Sequence, residues 1–478
     1  MSDNRHNPEG LHASLQQVIA LLHRHKIVEE LVHRQDMPKH DLVEDLVHRQ
    51  NIVELQKRLD QLHPADVAYI LEALPLEERL LVWDLVKSER DGEILLEVSD
   101  AVRESLIQSM DREELVAAAE SLDADELADL APDLPQHVVH EVIGSLDSKE
   151  REQLQSALSH SEEQVGSVMD FDVVKIRADV KLEVVLRYLR RFEELPTHAD
   201  KIFVVDEDEI LQGVLPINVL LVNDPEALVE DVMARDVVTF RPDEDLGEAA
   251  QAFERYDLVS APVVTHEGKL IARVTIEAMV DYIREESETE VLNMAGLKEE
   301  EDLFAPVIRS VQNRWAWLAI NLITAFVASR VIGVFEDAIE KLVALAALMP
   351  IVAGIGGNSG NQTITMIVRA LALGQLQPNN ISRLWRKEIG VAVVNGVVWG
   401  GLIGLIAFIL YGSPSLGVVM TAAMTLNLML AATMGVLVPL PMVRFGRDPA
   451  MGSSVMITAC TDSGGFFIFL GLATLFLL

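Results

Sequence analysis

Apolar residues follow two different rhythms along this chain. Beyond residue 314 they gather into five long runs, near 315–335, 342–373, 389–411, 415–440 and 450–477. Each run is long enough to cross a hydrocarbon layer that takes roughly 20 helical residues. Before residue 315 the apolar positions are shorter and periodic. Residues 51–163 alternate polar starts with Leu- and Ala-rich runs at helical spacing, as in HPADVAYIL, MDREELV, LDADELADL and LDSKEREQL. Asp111, Asp123 and Asp147 stand where N-caps are expected, so this region reads as a small all-α superhelix. From Val165 to about Glu290, β-branched runs alternate with helical stretches. KIFVVDEDEILQGVLPINVLL and APVVTHEGKLIARVTIEAMVDYI both have the form strand, turn, strand, helix, and related MxxxVV segments precede them.

The pattern predicts a multi-domain protein. Its parts are an N-terminal helical extension over 1–50, the helical domain over 51–163, and α/β units over 164–227 and 228–288. A connecting helix and linker over 276–314 overlaps the second unit, and an α-helical membrane domain with five spans covers 315–478. In the extension, VEELVHRQDM and VEDLVHRQNI repeat with a period of 15, close to four helical turns. Seven of the 13 histidines fall in the first 48 residues, where solvated helix faces are expected rather than a specific metal site.

Charge separates the same two halves. Residues 1–314 hold 31 Lys and Arg against 69 Asp and Glu, whereas residues 315–478 hold 8 against 6. A chain of net charge −36 is not expected to bind nucleic acid. Its one cysteine, Cys460, cannot form an intrachain disulfide, and the polar first 30 residues do not resemble a signal peptide. Arg314, then Arg383, Arg386 and Lys387, then Arg444 and Arg447 alternate with Glu336, Asp337 and Glu340 and with uncharged 412–414. This bias predicts a multi-pass protein of the cytoplasmic membrane with the N-terminus and soluble domains inside and the C-terminus outside.

Two apolar runs carry chemistry that lipid does not favour. GIGGNSGNQ, residues 354–362, places Gly354, Gly357 and Asn361 on one helical face, one turn beyond Pro350. Polar backbone at membrane depth needs protein or water around it. A helix-packing face is the alternative, since Gly356 and Gly360 form a GxxxG pair. In the fifth run Ser454, Thr458 and Asp462 recur every four residues, and Asp462 lies in an otherwise uncharged segment. An acid at that depth marks a functional site by default. An all-oxygen set of carboxylate, hydroxyl, amide and backbone carbonyl suits a hard cation, Mg²⁺ above all, which keeps much of its water. One acid per chain is thin for a divalent ion, and a two-fold axis would bring two together, so a homodimer is expected.

The run PIVAGIGGNSGNQTITMIVRALALGQL at 350–376, with TDSGG at 461–465 and DPA at 448–450, closely resembles the MgtE family of bacterial magnesium transporters and channels. The resemblance extends over nearly the whole chain. It implies a homodimer with five spans per subunit, a Mg²⁺ path lined by the second and fifth helices, and a cytoplasmic Mg²⁺-sensing gate. By motif, Asp462 matches the pore carboxylate, and Gly354, Gly357 and Asn361 match pore positions. Ser454 and Thr458 fall on pore-lining positions, and Glu340 matches an acid at the periplasmic mouth. Glu277, Asp281 and Glu290 on the connecting helix, with Asp448 near the fifth span, match regulatory acids, while Ala278, Arg284 and Thr289 replace others. Acidic domains that repel one another when apart from a divalent ion would compact as Mg²⁺ rises.

The α/β pair resembles tandem CBS domains. Where nucleotide-binding CBS units carry Ser or Thr followed three residues later by Asp, this chain has Pro216 and Val219, then Thr275 and Ala278. Weak or absent ATP binding is therefore expected. A membrane-anchored CBS sensor would leave Asp462 without purpose, and an intramembrane enzyme would need a second catalytic group beside it. The residues are compatible with passage of Mg²⁺ through a channel or a cation-coupled carrier, with Co²⁺, Mn²⁺ and Ni²⁺ as competing ions.

Overall fold

The computed structural model describes residues 8–33, 52–192, 195–297, 302–372, 376, 380–444 and 453–478. Two compact units emerge, Met1–Glu286 with Asp302–Ala305, and Ser287–Glu301 with Pro306–Leu478. The second copy of the 15-residue repeat and Asp448 lie outside the described residues, except for Ile52.

The first unit begins with the helix Pro8–His33, which buries Leu15, Val18, Leu21 and Leu22 in one core with Leu59, Ile70, Ile94 and Leu106. The helices that follow are short because caps punctuate them. Asp111, Asp123 and Asp147 each open a capping box, in which the Asp backbone N–H donates to Glu114, Glu126 or Glu150 at 2.8, 3.0 and 3.0 Å. Such caps contribute about 1 kcal/mol each. His63 starts Pro64–Glu72 in another way, its Nδ1 accepting from the Ala65 N–H at 3.3 Å.

Two small sheets follow. In the first, β1 (Lys175–Arg177) runs parallel to β2 (Lys201–Val205), which pairs antiparallel with β3 (Leu211–Pro216). In the second, β4 (Ser260–Val264) pairs antiparallel with β5 (Leu270–Thr275). Both hairpins break register one residue before the end of their first strand, at Val204/Val205 and at Val263/Val264, so the two units share a local irregularity as well as a pattern. Each MxxxVV segment starts in the other unit's core. Val165 and Met169 pack with Phe240, Ala261 and Val274, whereas Val229 and Met233 pack with Ile176, Ile202 and Leu215. Arg273 and Asp170 add a buried ion pair at 2.6 Å to this exchange.

The connecting helix Ile276–Ala295 starts directly after β5 and stops at Gly296, whose φ of 82° suits glycine. A Cβ there would lie 2.0 Å from Trp317 Nε1, so the same residue also permits the indole's approach.

The second unit contains long helices at Val307–Val334, Ala344–Ala372, Ile381–Tyr411, Pro414–Leu437 and Ser453–Leu477, here termed the first to fifth long helices. Among the described residues four helices are long and apolar enough to cross a membrane, the first, third and fifth together with the stretch Pro414–Met442. The second long helix has the length but is diluted by its glycines and amides. Two boundaries depart from the sequence reading. The first helix starts at Val307 rather than near 315, and the third starts at Ile381, so Arg383, Arg386 and Lys387 are helical and not in a loop. Glu336, Asp337 and Glu340 occupy a short helix, Glu336–Lys341.

Small residues set the packing here. Gly396, Gly400 and Gly404 line the buried face of the third helix, and a Cβ at Gly404 would lie 2.4 Å from the Gly417 carbonyl of the fourth. Where apolar burial gives little drive between helices, such close approach is what dispersion requires.

Candidate ion path and regulatory acids

The glycines of GIGGNSGNQ divide between two faces. Gly356 and Gly360 are buried against neighbouring helices: a Cβ would meet Asn427 Nδ2 at 2.2 Å and Ile457 Cγ2 at 2.4 Å respectively. Gly354 faces open space, and Gly357 would meet only Thr461 Oγ1 at 3.8 Å. The packing reading therefore holds for Gly356 and Gly360, while Gly354 and Gly357 have no neighbour closer than 3.8 Å to a Cβ. One pair packs and the other leaves backbone exposed.

Asn361 continues the open face toward the fifth helix. Ser454 Oγ donates to Asn361 Oδ1 at 3.2 Å, joining two residues singled out from separate runs. Thr458 turns its hydroxyl back to the Ser454 carbonyl at 2.9 Å, which leaves its oxygen lone pairs available. Asp462, one turn further on, is half-buried and pairs with no side chain among the described residues. Thr461, beside it, is fully buried and spends its hydroxyl on the Ile457 carbonyl at 3.0 Å. Glu340 is exposed on its short helix. The donors on these faces are all oxygens, which fits a hard, hydrated divalent cation.

A second carboxylate escaped the sequence reading. Glu388 is 4% exposed near the start of the third helix, where Oε2 accepts from Thr363 Oγ1 at 3.3 Å and Oε1 lies 2.9 Å from Lys387 Nζ. Its place among charged neighbours made it look like part of a loop. A helical register carried back through Arg383 would have placed it on the buried face with Ala392 and Gly396.

In the first unit, acids of the helical domain crowd those at the start of the connecting helix. Burial, and then the charge of Asp281, raise Glu97 above the usual carboxylate range. Burial raises Asp281 too, with Arg284 opposing and Glu277 adding to the shift. Burial followed by the charges of Asp129, Asp100 and Asp281 raises Glu285. Burial pushes Asp125 up to about 7, with Asp170 the next cause. The side chains of Asp281 and Glu277 remain 55% and 64% exposed, so solvent screens these charges and a cation can reach them.

Of the proposed regulatory residues, Glu277 and Asp281 share one face, a turn apart. Glu277 accepts from or pairs with His198 Nε2 at 3.0 Å, and Asp281 lies 3.9 Å from Arg284. Glu290 lies two to three turns beyond Asp281, about 14 Å along the axis, too far to share one ion with it. Among the described residues no group of three or more His, Cys, Asp or Glu side chains is arranged to hold a metal. Thr275 is 7% exposed, and its hydroxyl accepts from the Ala278 N–H at 3.5 Å.

Comparison with known proteins adds to this geometry. Residues 349–472 match the divalent cation transporter family MgtE, residues 62–163 the MgtE intracellular N domain, and residues 229–285 the CBS domain. The magnesium transporter MgtE of Thermus thermophilus is 31% identical over 430 residues, spanning 88% of this chain and 95% of the relative. That of Bacillus subtilis is 25% identical over 426 residues, spanning 89% and 94%. A solved cytosolic domain of the Mg²⁺ channel MgtE in complex with ATP covers 50% of this chain at 28% identity and a TM-score of 0.45.

Proposed function

Because the chain belongs to the MgtE family of magnesium transporters, we propose that it moves Mg²⁺ across the cytoplasmic membrane as a homodimer with a path closed by high cytoplasmic Mg²⁺. The protein is a transporter and not an enzyme. The observation that carries the path is the split of the glycine motif, with Gly354 and Gly357 open on the same helix whose Asn361 is tied to Ser454. In this reading Ala344–Ala372 is the remaining one of five spans, its polar face turned to water instead of lipid. The N-terminus and soluble domains are cytoplasmic and the C-terminus is outside.

Mg²⁺ dehydrates reluctantly, so the path must hold the ion with its waters. Asp462 supplies the charge, and two copies across the dimer axis would hold one hydrated ion between them. Glycine carbonyls, Asn361, Ser454 and Thr458 accept from the ion's water shell, and Glu340 concentrates cations at the periplasmic mouth. None of these groups needs to replace the inner water ligands. Such loose holding lets the ion leave again.

Closure follows from the cytoplasmic acids. Burial first, and then neighbouring acids, raise the proton affinity of Glu97, Asp129, Asp281 and Glu285, with Asp281 acting on the other three, and the compact arrangement of helical domain and connecting helix carries that repulsion when no divalent ion is present. Mg²⁺ among them removes it and favours the compact state by differential binding. Glu277, Asp281, Glu290 and Asp448 are the regulatory ligands in this reading, divided among more than one ion. ATP binding is expected to be weak or absent, so this reading assigns it no step.

The test is Mg²⁺ uptake into liposomes holding the purified protein at low internal Mg²⁺, with Asp462→Ala as the comparison. Loss of uptake in the variant, with dimer and fold retained, supports the path; equal uptake in both removes Asp462 from it.

A further inference from the structure

The fourth long helix, Pro414–Leu437, carries a single side-chain amide, Asn427, with no exposed surface. Its Nδ2 donates to the Val352 carbonyl of the second helix at 2.9 Å, while Oδ1 has no hydrogen-bond partner among the described residues. The amide occupies room that only two glycines leave. A Cβ at Gly356 of the second helix would lie 2.2 Å from Nδ2, and one at Gly465 of the fifth would lie 2.7 Å from it. Gly356 falls between the open Gly354 and Gly357, and Gly465 is less than one turn from Asp462. Asn427 thus stands between both helices that carry the candidate path, at the depth of its carboxylate.

We propose that Asn427 is a positioning residue for the ion path, fixing the spacing and register of the second and fifth helices around Asp462 and thereby the width that a hydrated cation meets. This rests on the reading of those helices as the path. A residue needed only to fill volume would be apolar, since burying an amide with an unpaired oxygen costs free energy that Leu or Met would avoid. The bond to Val352 instead ties the fourth helix to backbone two residues after Pro350, whose missing N–H leaves the Ala346 carbonyl, one turn earlier, without its helical donor. Glycine on both flanks lets the amide reach between the helices without holding them further apart.

The test measures Mg²⁺ and Ca²⁺ uptake into proteoliposomes for the natural protein, Asp462→Ala, Asn427→Ala, Asn427→Asp, Gly356→Ala and the Asn427→Ala/Gly356→Ala pair. Asn427→Ala is expected to lower Mg²⁺ uptake about tenfold, the scale of losing one buried hydrogen bond, and to narrow the preference for Mg²⁺ over Ca²⁺. In Asn427→Asp only the protonated side chain can donate to Val352, so uptake relative to the natural protein should rise as pH falls from about 8 to about 6. Gly356→Ala should be impaired, and removing the Asn427 amide should restore part of that loss by freeing the space. Natural selectivity and uptake in Asn427→Ala, or losses in the pair that multiply, would overturn the proposal. If Asn427→Ala does not assemble, a pH profile of Asn427→Asp parallel to that of the natural protein overturns it instead. Absence of uptake in the natural protein would count against the transport reading itself, and uptake retained in Asp462→Ala would count against the path, each separable from failure of the Asn427 variants.

Discussion

Ser454 and Asn361 meet across 3.2 Å, hydroxyl to amide oxygen, and so join the second and fifth long helices by a side-chain hydrogen bond. Hydrogen bonds between membrane helices couple weakly, near 0.6 kcal/mol on average, because the alternative state also finds partners. Ser454→Ala should therefore reduce Mg²⁺ uptake only about threefold at this level of coupling. Combined with Asn361→Ala it should add less than its own threefold, since the part of its effect that runs through the bond to Asn361 is already lost. Uptake measured as a double-mutant cycle checks this, and fully multiplicative losses would mean that the two residues act separately.

Arg79 is a different kind of junction. Fully buried, it donates to the Leu71 and Leu74 carbonyls at 2.9 and 3.0 Å and grips the Asp302 carboxylate with two bonds of 2.7 and 3.0 Å. Asp302 is itself only 10% exposed, so its removal strands a guanidinium charge. Asp302→Asn is expected to destabilise the first unit by roughly 3–5 kcal/mol, the usual consequence of halving a buried ion pair. Circular dichroism of the full chain in detergent would show its first unfolding transition displaced to lower denaturant. An unmoved transition would mean that water replaces the carboxylate.

Much of this architecture could be read locally. Asp111, Asp123 and Asp147 were recognisable as caps because a capping box is written in four consecutive residues. The β2–β3 and β4–β5 hairpins were equally legible from alternation and turn residues. What spacing could not tell was which glycine of GIGGNSGNQ packs and which stays open, since that depends on Asn427 and Ile457 from other helices. Nor does any local signal put Met169 in the second α/β core and Met233 in the first. Asn427 did leave a trace, a lone amide in an apolar helix, and the rule that drew attention to Asp462 applies to it in weaker form. Glu388 was hidden by the basic residues before it.

The acidic unit should respond to pH in a definite direction. Burial pushes Asp91 up to about 7, with Glu114 adding to it, and pushes Asp125 to about the same value. The unfolded chain ionises both near 3.8, so between there and about 7 the folded state holds protons that the unfolded state has lost. Stability contributed by these groups is thus present at low pH, declines as pH rises through that window, and is gone above it. Thermal unfolding of Asp91→Asn and Asp125→Asn should show a shallower fall between about pH 4 and 7 than the natural protein. Mg²⁺ should raise the melting temperature of the natural protein more at pH 8 than at pH 5, since protons and Mg²⁺ relieve the same crowding. Equal Mg²⁺ effects at both pH values would separate the metal sites from these carboxyls.

Nucleotide binding gives the last contrast. In the second α/β unit Thr275 is buried, and its hydroxyl accepts from the Ala278 N–H at 3.5 Å, so it serves the start of the connecting helix. Ala278 offers no carboxylate to a ribose hydroxyl, and neither Pro216 nor Val219 supplies the missing groups in the first unit. A site that lacks its directional acceptors loses the discrimination that buried hydrogen bonds provide, leaving only contact with the adenine ring. Equilibrium dialysis of the full chain with ATP should therefore show no saturable binding at micromolar concentrations. Ala278→Asp restores one acceptor at the first turn of Ile276–Ala295, where a carboxylate is also favoured by the helix N-terminus. That variant should acquire weak ATP binding, competed by AMP since both share the ribose. Saturable binding by the natural protein would instead require ribose acceptors other than the two that this sequence lacks, and would bring ATP back as a regulator.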